Sequence, residues 1–224
     1  MHEDSKLKTH AFSFEILEKG IEDIYCRLQY STHTIFNMVQ NDIYKKGYYN
    51  PKWNTIIESK NKKAFEDYQE LLRNLNSEIY YYSLLLVSFS SFEISLKQIC
   101  LFIEQYSEPK YPFDPPNRLI LKNCRDFINS SKLVDMTEKE IDSNYSFLTK
   151  INDLRNLIAH NNGNLIQNRN LGLESQKYYR VFNSEKFLTI NLNGQVYIND
   201  DEYIKEFNRR SKEFLNNIIN TLKK

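Results

Sequence analysis

Ile151-Asn152-Asp153-Leu154-Arg155-Asn156-Leu157-Ile158-Ala159-His160-Asn161-Asn162-Gly163 is the stretch from which the rest of the chain can be read. With Phe147 ahead of it, the apolar residues Ile151, Leu154 and Ile158 recur at the three- and four-residue intervals of an α-helix. At 100° per residue they fall within one narrow arc, which must face a core. Asn162-Gly163 supplies a C-cap, because both residue types accept the left-handed backbone that ends a helix.

The opposite arc carries chemistry. Arg155 and His160 are five residues apart, so on a helix they point about 140° away from each other. That argues against an intrahelical pair. Asn152, Asn156 and Ala159 fill the arc between them. A small residue at the centre, with Arg and His at the margins, suits packing against the same helix of a second copy across a twofold axis. Such packing brings Arg155 of one protomer near His160 of the other, with Ala159 as the contact point. Asn156 precedes His160 by four and Asp153 by seven, so both are candidates to orient the ring. His160 lies in the last turn, where the helix C-terminus attracts positive charge.

Working outward, helical spacing extends through most of the chain. Phe14, Leu17, Ile21, Ile24 and Leu28 continue into Ile35, Met38, Val39 and Ile43, predicting a helix over about 12–46 that ends at Gly47-Tyr48-Tyr49-Asn50-Pro51. A second helix is expected over about 61–106, with one apolar stripe through Leu85, Phe89, Phe92, Leu96, Ile99 and Ile103. Beside it run Ser88, Ser91 and Ser95, small enough to let another helix approach. Glu93 stands at the edge of this zone, read either as a boundary charge or as a buried carboxylate that orients an arginine elsewhere, since buried charges are normally paired.

Four prolines between Pro109 and Pro116 exclude helix in the next loop. A third helix is expected over about 117–131. The helix carrying the opening stretch starts near Thr137, with Thr137 as N-cap and Glu140 closing a capping box. Between 164 and 200 the period changes: about 177–182, 186–192 and 195–198 read as strands, with Asn193-Gly194 as a hairpin turn. A last helix over about 201–223 buries Tyr203, Phe207, Phe214, Leu215, Ile218 and Leu222. The first ten residues read as frayed. The expectation is one mainly α domain spanning 1–224, an antiparallel helical bundle with a small β-meander at about 177–198 inserted before the C-terminal helix.

Composition agrees with that class and excludes others. Gly 5 and Pro 5 are low, as long helices require, and 41% apolar with 26% charged residues is globular usage. A net charge of +1 provides no overall basic field, so contact with nucleic acid has to be local. Cys26, Cys100 and Cys124 form no CxxC pair, which fits a reducing cytoplasm and neither a metal site nor a disulfide framework. Nor do His2, His10, His33 and His160 have metal-ligand spacing. The charged start lacks an apolar h-region, and the densest apolar run, Ser83 to Phe92, is broken by serines, so neither signal peptide nor membrane contact is expected.

The string Arg155-Asn156-Leu157-Ile158-Ala159-His160 resembles the R-x4-6-H motif of HEPN domains (higher eukaryotes and prokaryotes nucleotide-binding), including the polar residue directly after the arginine. Ser90-Ser91-Phe92-Glu93-Ile94-Ser95-Leu96 is similar to an earlier helix of bacterial members. The resemblance covers roughly 12–163 and the final helix. It implies a homodimeric, metal-independent endoribonuclease without cofactor: an RNA 2′-hydroxyl attacks the adjacent phosphate, leaving a 2′,3′-cyclic phosphate and a 5′-hydroxyl. His160 is then the general acid/base, Arg155 the phosphate ligand, and Asn156 an orienting group, with Asp153, Asn152 and Glu93 in support. The implied setting is a toxin or effector of bacterial antiviral defence, abortive infection or growth arrest, acting on RNA such as tRNA and restrained by an antitoxin or another system partner. Members paired with a nucleotidyltransferase antitoxin often carry Tyr two positions after the motif His; Asn162 stands here, against that partnership. The alternative is a non-catalytic HEPN module that dimerises and binds a nucleotide or a partner protein. Tyr178 and Tyr179 are candidates to stack on unpaired bases; Lys60, Lys62, Lys63, Arg209 and Arg210 read as solvated charge, with phosphate contact the alternative.

Overall fold

Apolar residues at three- and four-residue spacing fix each main helix of the computed structural model, which describes residues 6–7, 11–39, 62–108, 112–114 and 120–223. Six helices occupy that part: α1 (Ala11–Val39), α2 (Lys62–Tyr106), α3 (Ile120–Ser131), α4 (Lys139–Asn161), the short α5 (Tyr179–Asn183) and α6 (Glu202–Leu222). The strands are β1 (Lys6–Leu7), β2 (Ser107–Glu108), β3 (Leu188–Ile190) and β4 (Val196–Ile198). The chain is a mainly helical bundle with a small antiparallel hairpin before the last helix.

α2 is the central element and packs against α1, α3, α4 and α6. Its expected stripe is the core: Leu85, Phe89, Phe92, Leu96, Ile99 and Ile103 are all buried. Phe89 stacks on Phe207 of α6 with centroids 5.9 Å apart, and Phe92 meets Phe214 edge-on at 6.2 Å. Each such buried side chain contributes about 1.5–3 kcal/mol of hydrophobic stabilisation, before the entropy it loses. Ser88 and Ser95 are buried beside them. Every residue expected on the inner side of α6 is buried, and the Tyr25 hydroxyl of α1 donates to Ser211 Oγ of α6 at 2.8 Å. Ile79–Tyr106 of α2 is also long and apolar enough to cross a bilayer, although half of its most apolar window lies inside the bundle. The serines interrupt the apolar run without lowering its mean hydropathy much, and the same composition serves a helix buried at the centre of a bundle.

Several local expectations are overturned. Residues 177–182 form no strand; Tyr178 and Phe182 instead stack at 5.6 Å as the i, i+4 pair of a helical turn. In a strand they would lie about 13 Å apart. What was expected as a meander is therefore a turn of helix followed by a two-stranded hairpin, β3 against β4, with Leu188 opposite Ile198 and Ile190 opposite Val196. Asn193-Gly194 does make its turn, with Gly194 at φ 78°. Thr137 is not the N-cap of α4. Its amide and hydroxyl both donate to Asp135 Oδ1 (2.9 and 2.6 Å), and Glu138 takes the cap position without a side-chain cap bond. Within the first ten residues, Lys6 and Leu7 pair with Glu108 and Ser107. The end expected for α1 at 47–51, the start of α2 at Asn61, the start of α3 at 117–119 and the side chains of Lys60, Lys62 and Lys63 lie outside the described residues.

Candidate functional site

The core arc of α4 is wider than the sequence arc. Ile141, Leu148, Ile151, Leu154, Leu157 and Ile158 are all buried, so the helix is gripped from α6 on one side and α2 on the other. Arg155 projects into the α2 side of that grip. Its Nη1 donates to Asn156 Oδ1 at 2.9 Å, and its Nη2 lies 3.7 Å from Glu93 Oε2, an ion pair rather than a hydrogen bond. The guanidinium sits 5.7 Å from the Phe89 ring centroid, and its Nε is buried without a hydrogen-bond partner. Side-chain exposure is 28% for Arg155 and 13% for Glu93, so part of the guanidinium reaches solvent while the carboxylate hardly does. Burial pushes the Glu93 carboxyl above its ordinary range, and the Arg155 and Lys97 charges pull against that.

Of the two readings of Glu93, the structure thus gives the carboxylate that meets an arginine on another helix. Asn156 accepts from Arg155 rather than turning to His160. Asp153 faces the other way, toward Lys177 and Tyr178; burial raises its carboxyl, opposed by the Lys177 charge and a Tyr178 hydrogen bond. It therefore does not orient His160, because Lys177 and Tyr178, just ahead of α5, claim it. His160 and Ala159 are exposed and Asn152 is half-buried. Among the described residues no hydrogen bond reaches the His160 ring, and none joins it to Arg155. Two clefts, of about 430 and 830 Å³, lie elsewhere: one among α4, the hairpin and α6, the other between α1 and α6. Neither is lined by Arg155 or His160. His160 stands on open surface, while Arg155 is set between α4 and α2.

A lock not legible from the motif fixes its end. α4 stops at Asn162 in the left-handed conformation (φ 49°, ψ 37°), and Gly163 follows at φ 76°. A Cβ on Gly163 would stand 2.6 Å from Tyr82 Cζ, so only glycine lets α2 pass this close. The Tyr82 hydroxyl donates to the Val196 carbonyl of β4. Gln195 Nε2 donates to Tyr82 Oη at 3.0 Å and to the Asn162 carbonyl at 2.7 Å, and the Val196 amide donates to the Gly163 carbonyl at 3.0 Å. The hairpin therefore holds the last turn of α4, and with it His160, against α2. Sequence reasoning missed Phe89, Tyr82 and Gln195 as parts of the site; only Asn162-Gly163 left a trace, as the C-cap.

Other candidates are already engaged. Tyr178 stacks on Phe182 and carries Lys177 Nζ over its ring at 4.6 Å. Arg209 pairs with Glu206 and Glu213, and Arg210 pairs with Glu206 and lies over Phe147. Among the described residues no group of three His, Cys, Asp or Glu side chains could hold a metal ion. Comparison with known proteins found no matching family model, curated protein or solved structure.

Proposed function

We propose that the chain is a HEPN-like, metal-independent endoribonuclease whose catalytic site is completed by a second copy, serving as a toxin or effector in bacterial defence or growth arrest. The observation that carries this is Arg155 itself: a guanidinium largely withdrawn from solvent near Phe89, held by Glu93 and Asn156, with a part of it still open to solvent. A surface arginine needs no such support, and an arginine kept only for stability would not leave its Nε orphaned at a cost of about 1–3 kcal/mol. The arrangement suits a cation fixed to meet a phosphate. His160, exposed one turn on, is the proton-transfer group. The bonds form and break in balance: the 2′-oxygen loses its proton to an imidazole and bonds to phosphorus. The P–O5′ bond breaks, and the leaving oxygen takes up a proton.

The test is incubation of the purified protein and His160→Ala with total RNA and tRNA, with mapping of the ends. Cleavage leaving 2′,3′-cyclic phosphate and 5′-hydroxyl termini is expected, reduced about 10²–10⁴-fold in His160→Ala. Intact RNA, or equal cleavage by the variant, sinks the proposal. In the first case a non-catalytic module that binds a nucleotide or partner takes its place.

A further inference from the structure

We infer that Lys97 is a second phosphate ligand beside Arg155, so that a single polynucleotide strand lies along the groove between α2 and α4 with neighbouring phosphates on the two cations. This rests on the ribonuclease reading for the choice of a polynucleotide as the occupant. Among the described residues five Lys or Arg side chains are half-buried. Arg125, Arg155, Arg210 and Lys212 each stand in ion-pair contact with an acid. Lys97 makes no ion pair and no hydrogen bond among the described residues. Withdrawing a cation partly from water without a partner has a cost, which an anion from outside the chain offsets. Lys97 is also close enough for the Glu93 carboxyl to feel its charge, and Glu93 is the residue that meets Arg155.

Helix geometry sets the spacing. Arg155 lies against Glu93 and Phe89, and Gly163 against Tyr82, so α4 runs antiparallel to α2. Each step back along α4 from Arg155 is therefore a step along α2 from Glu93 toward Lys97. Lys97 is one turn past Glu93, about 6 Å along the axis, and about 40° round from it on the side of the exposed Ile94. Its stem leans back toward Glu93, as helical side chains lean to the N-terminus. Asn152, one turn back on α4, falls on the same side of Arg155. It too is half-buried, and its carboxamide makes no hydrogen bond among the described residues. The groove thus offers two tiers, Arg155 with Asn156 and Lys97 with Asn152, each a cation with an amide from α4. One turn separates them, the scale of the step from one phosphate to the next in a strand. Glu93 cancels one of the two charges, and the remaining one belongs to Lys97. An acidic peptide fits less well, because exposed His160 on the same helix gives a polynucleotide a reacting group and a peptide none.

Binding of 2′-O-methyl decauridylate, which has no free 2′-hydroxyl to attack its phosphates, tests this without turnover. Lys97→Met keeps the apolar stem and removes only the charge. It should lower the slope of log Kd against log salt by about 0.7, the loss of one phosphate contact to a single strand, and so weaken binding about fivefold at 0.1 M salt. Lys97→Arg should restore both. Asn152→Ala should weaken binding at an unchanged slope, because an amide displaces no counterion. Lys150→Met, the same loss of charge on the hairpin side of α4, should leave the slope as it is in the wild type. A wild type that does not bind, an unchanged slope in Lys97→Met, an equal drop in Lys150→Met, or displacement of the strand by equimolar decaglutamate overturns the inference. RNA cut by Lys97→Met with an unchanged KM sinks this inference and leaves the ribonuclease proposal standing; binding through Lys97 with no cleavage of any RNA does the reverse.

Discussion

Helix α4 is tied to its neighbours on two sides by ion pairs of opposite character. Toward the hairpin, Lys150 Nζ lies 2.7 Å from Glu185 Oε1, with the lysine well exposed. Toward α2, Arg155 and Glu93 are 3.7 Å apart, yet both are largely withdrawn from water. The shorter contact is the weaker one, because solvent replaces either partner of an exposed pair at little cost. If Arg155 is lost, Glu93 has no such replacement. The two sides also differ in completeness. Burial raises a carboxyl on each side, Glu93 toward α2 and Asp153 toward Lys177, but the α2 side also carries the orphaned Arg155 Nε. Local stability has been given up on the side where the motif lies, which is where perturbed groups with a task are found.

The largest effect should come from breaking the α2 side. Arg155→Met keeps bulk over Phe89 but strands Glu93, and should cost about 2 kcal/mol in urea melts near neutral pH. Adding Glu93→Gln to it should recover much of that loss. A single variant as stable as the wild type would mean that the pair is no more than a surface contact. A smaller effect should appear in pH dependence. With its carboxyl raised, native Glu93 holds its proton more tightly than the unfolded chain does. Its contribution is most favourable below the ordinary carboxylate range and is lost as pH rises through the raised value. The stability of the wild type minus that of Glu93→Gln should therefore fall as pH rises from below the ordinary carboxylate range; a rising difference would reverse the sign of the burial effect. Smallest of all, Lys150→Ala on the hairpin side should change stability by less than about 0.5 kcal/mol in the same melts.

The bundle was legible because long amphipathic helices repeat one instruction many times; α6 shows each expected inner residue buried. Short elements repeat nothing. Tyr178 to Phe182 has the aromatic and β-branched content of a strand, and only the stacking of Tyr178 on Phe182 reveals the turn of helix. Thr137 had the residues of a capping box and lost them to Asp135, a competition between neighbours that spacing does not rank. For the site, Arg155, Asn156 and Glu93 could be found from helix phase and charge in an apolar zone. Tyr82 and Gln195 could not, since a contact across more than a hundred residues leaves no period in the chain. Asp153 shared the phase of His160 and was still claimed by Lys177 and Tyr178, which lie outside any helical repeat of α4.

The hairpin also sets how the motif can open. Val196 and Gln195 hold the carbonyls of Gly163 and Asn162, so the last turn of α4 cannot fray without releasing β4, and β4 cannot leave without freeing that turn. In hydrogen exchange the Val196 and Gly163 amides should therefore behave as one unit, protected or exposed together. Leu192, at the hairpin tip, is 95% exposed and stands at the far end of that unit. Whatever grips the tip acts as a handle on the histidine's own turn, without touching the histidine.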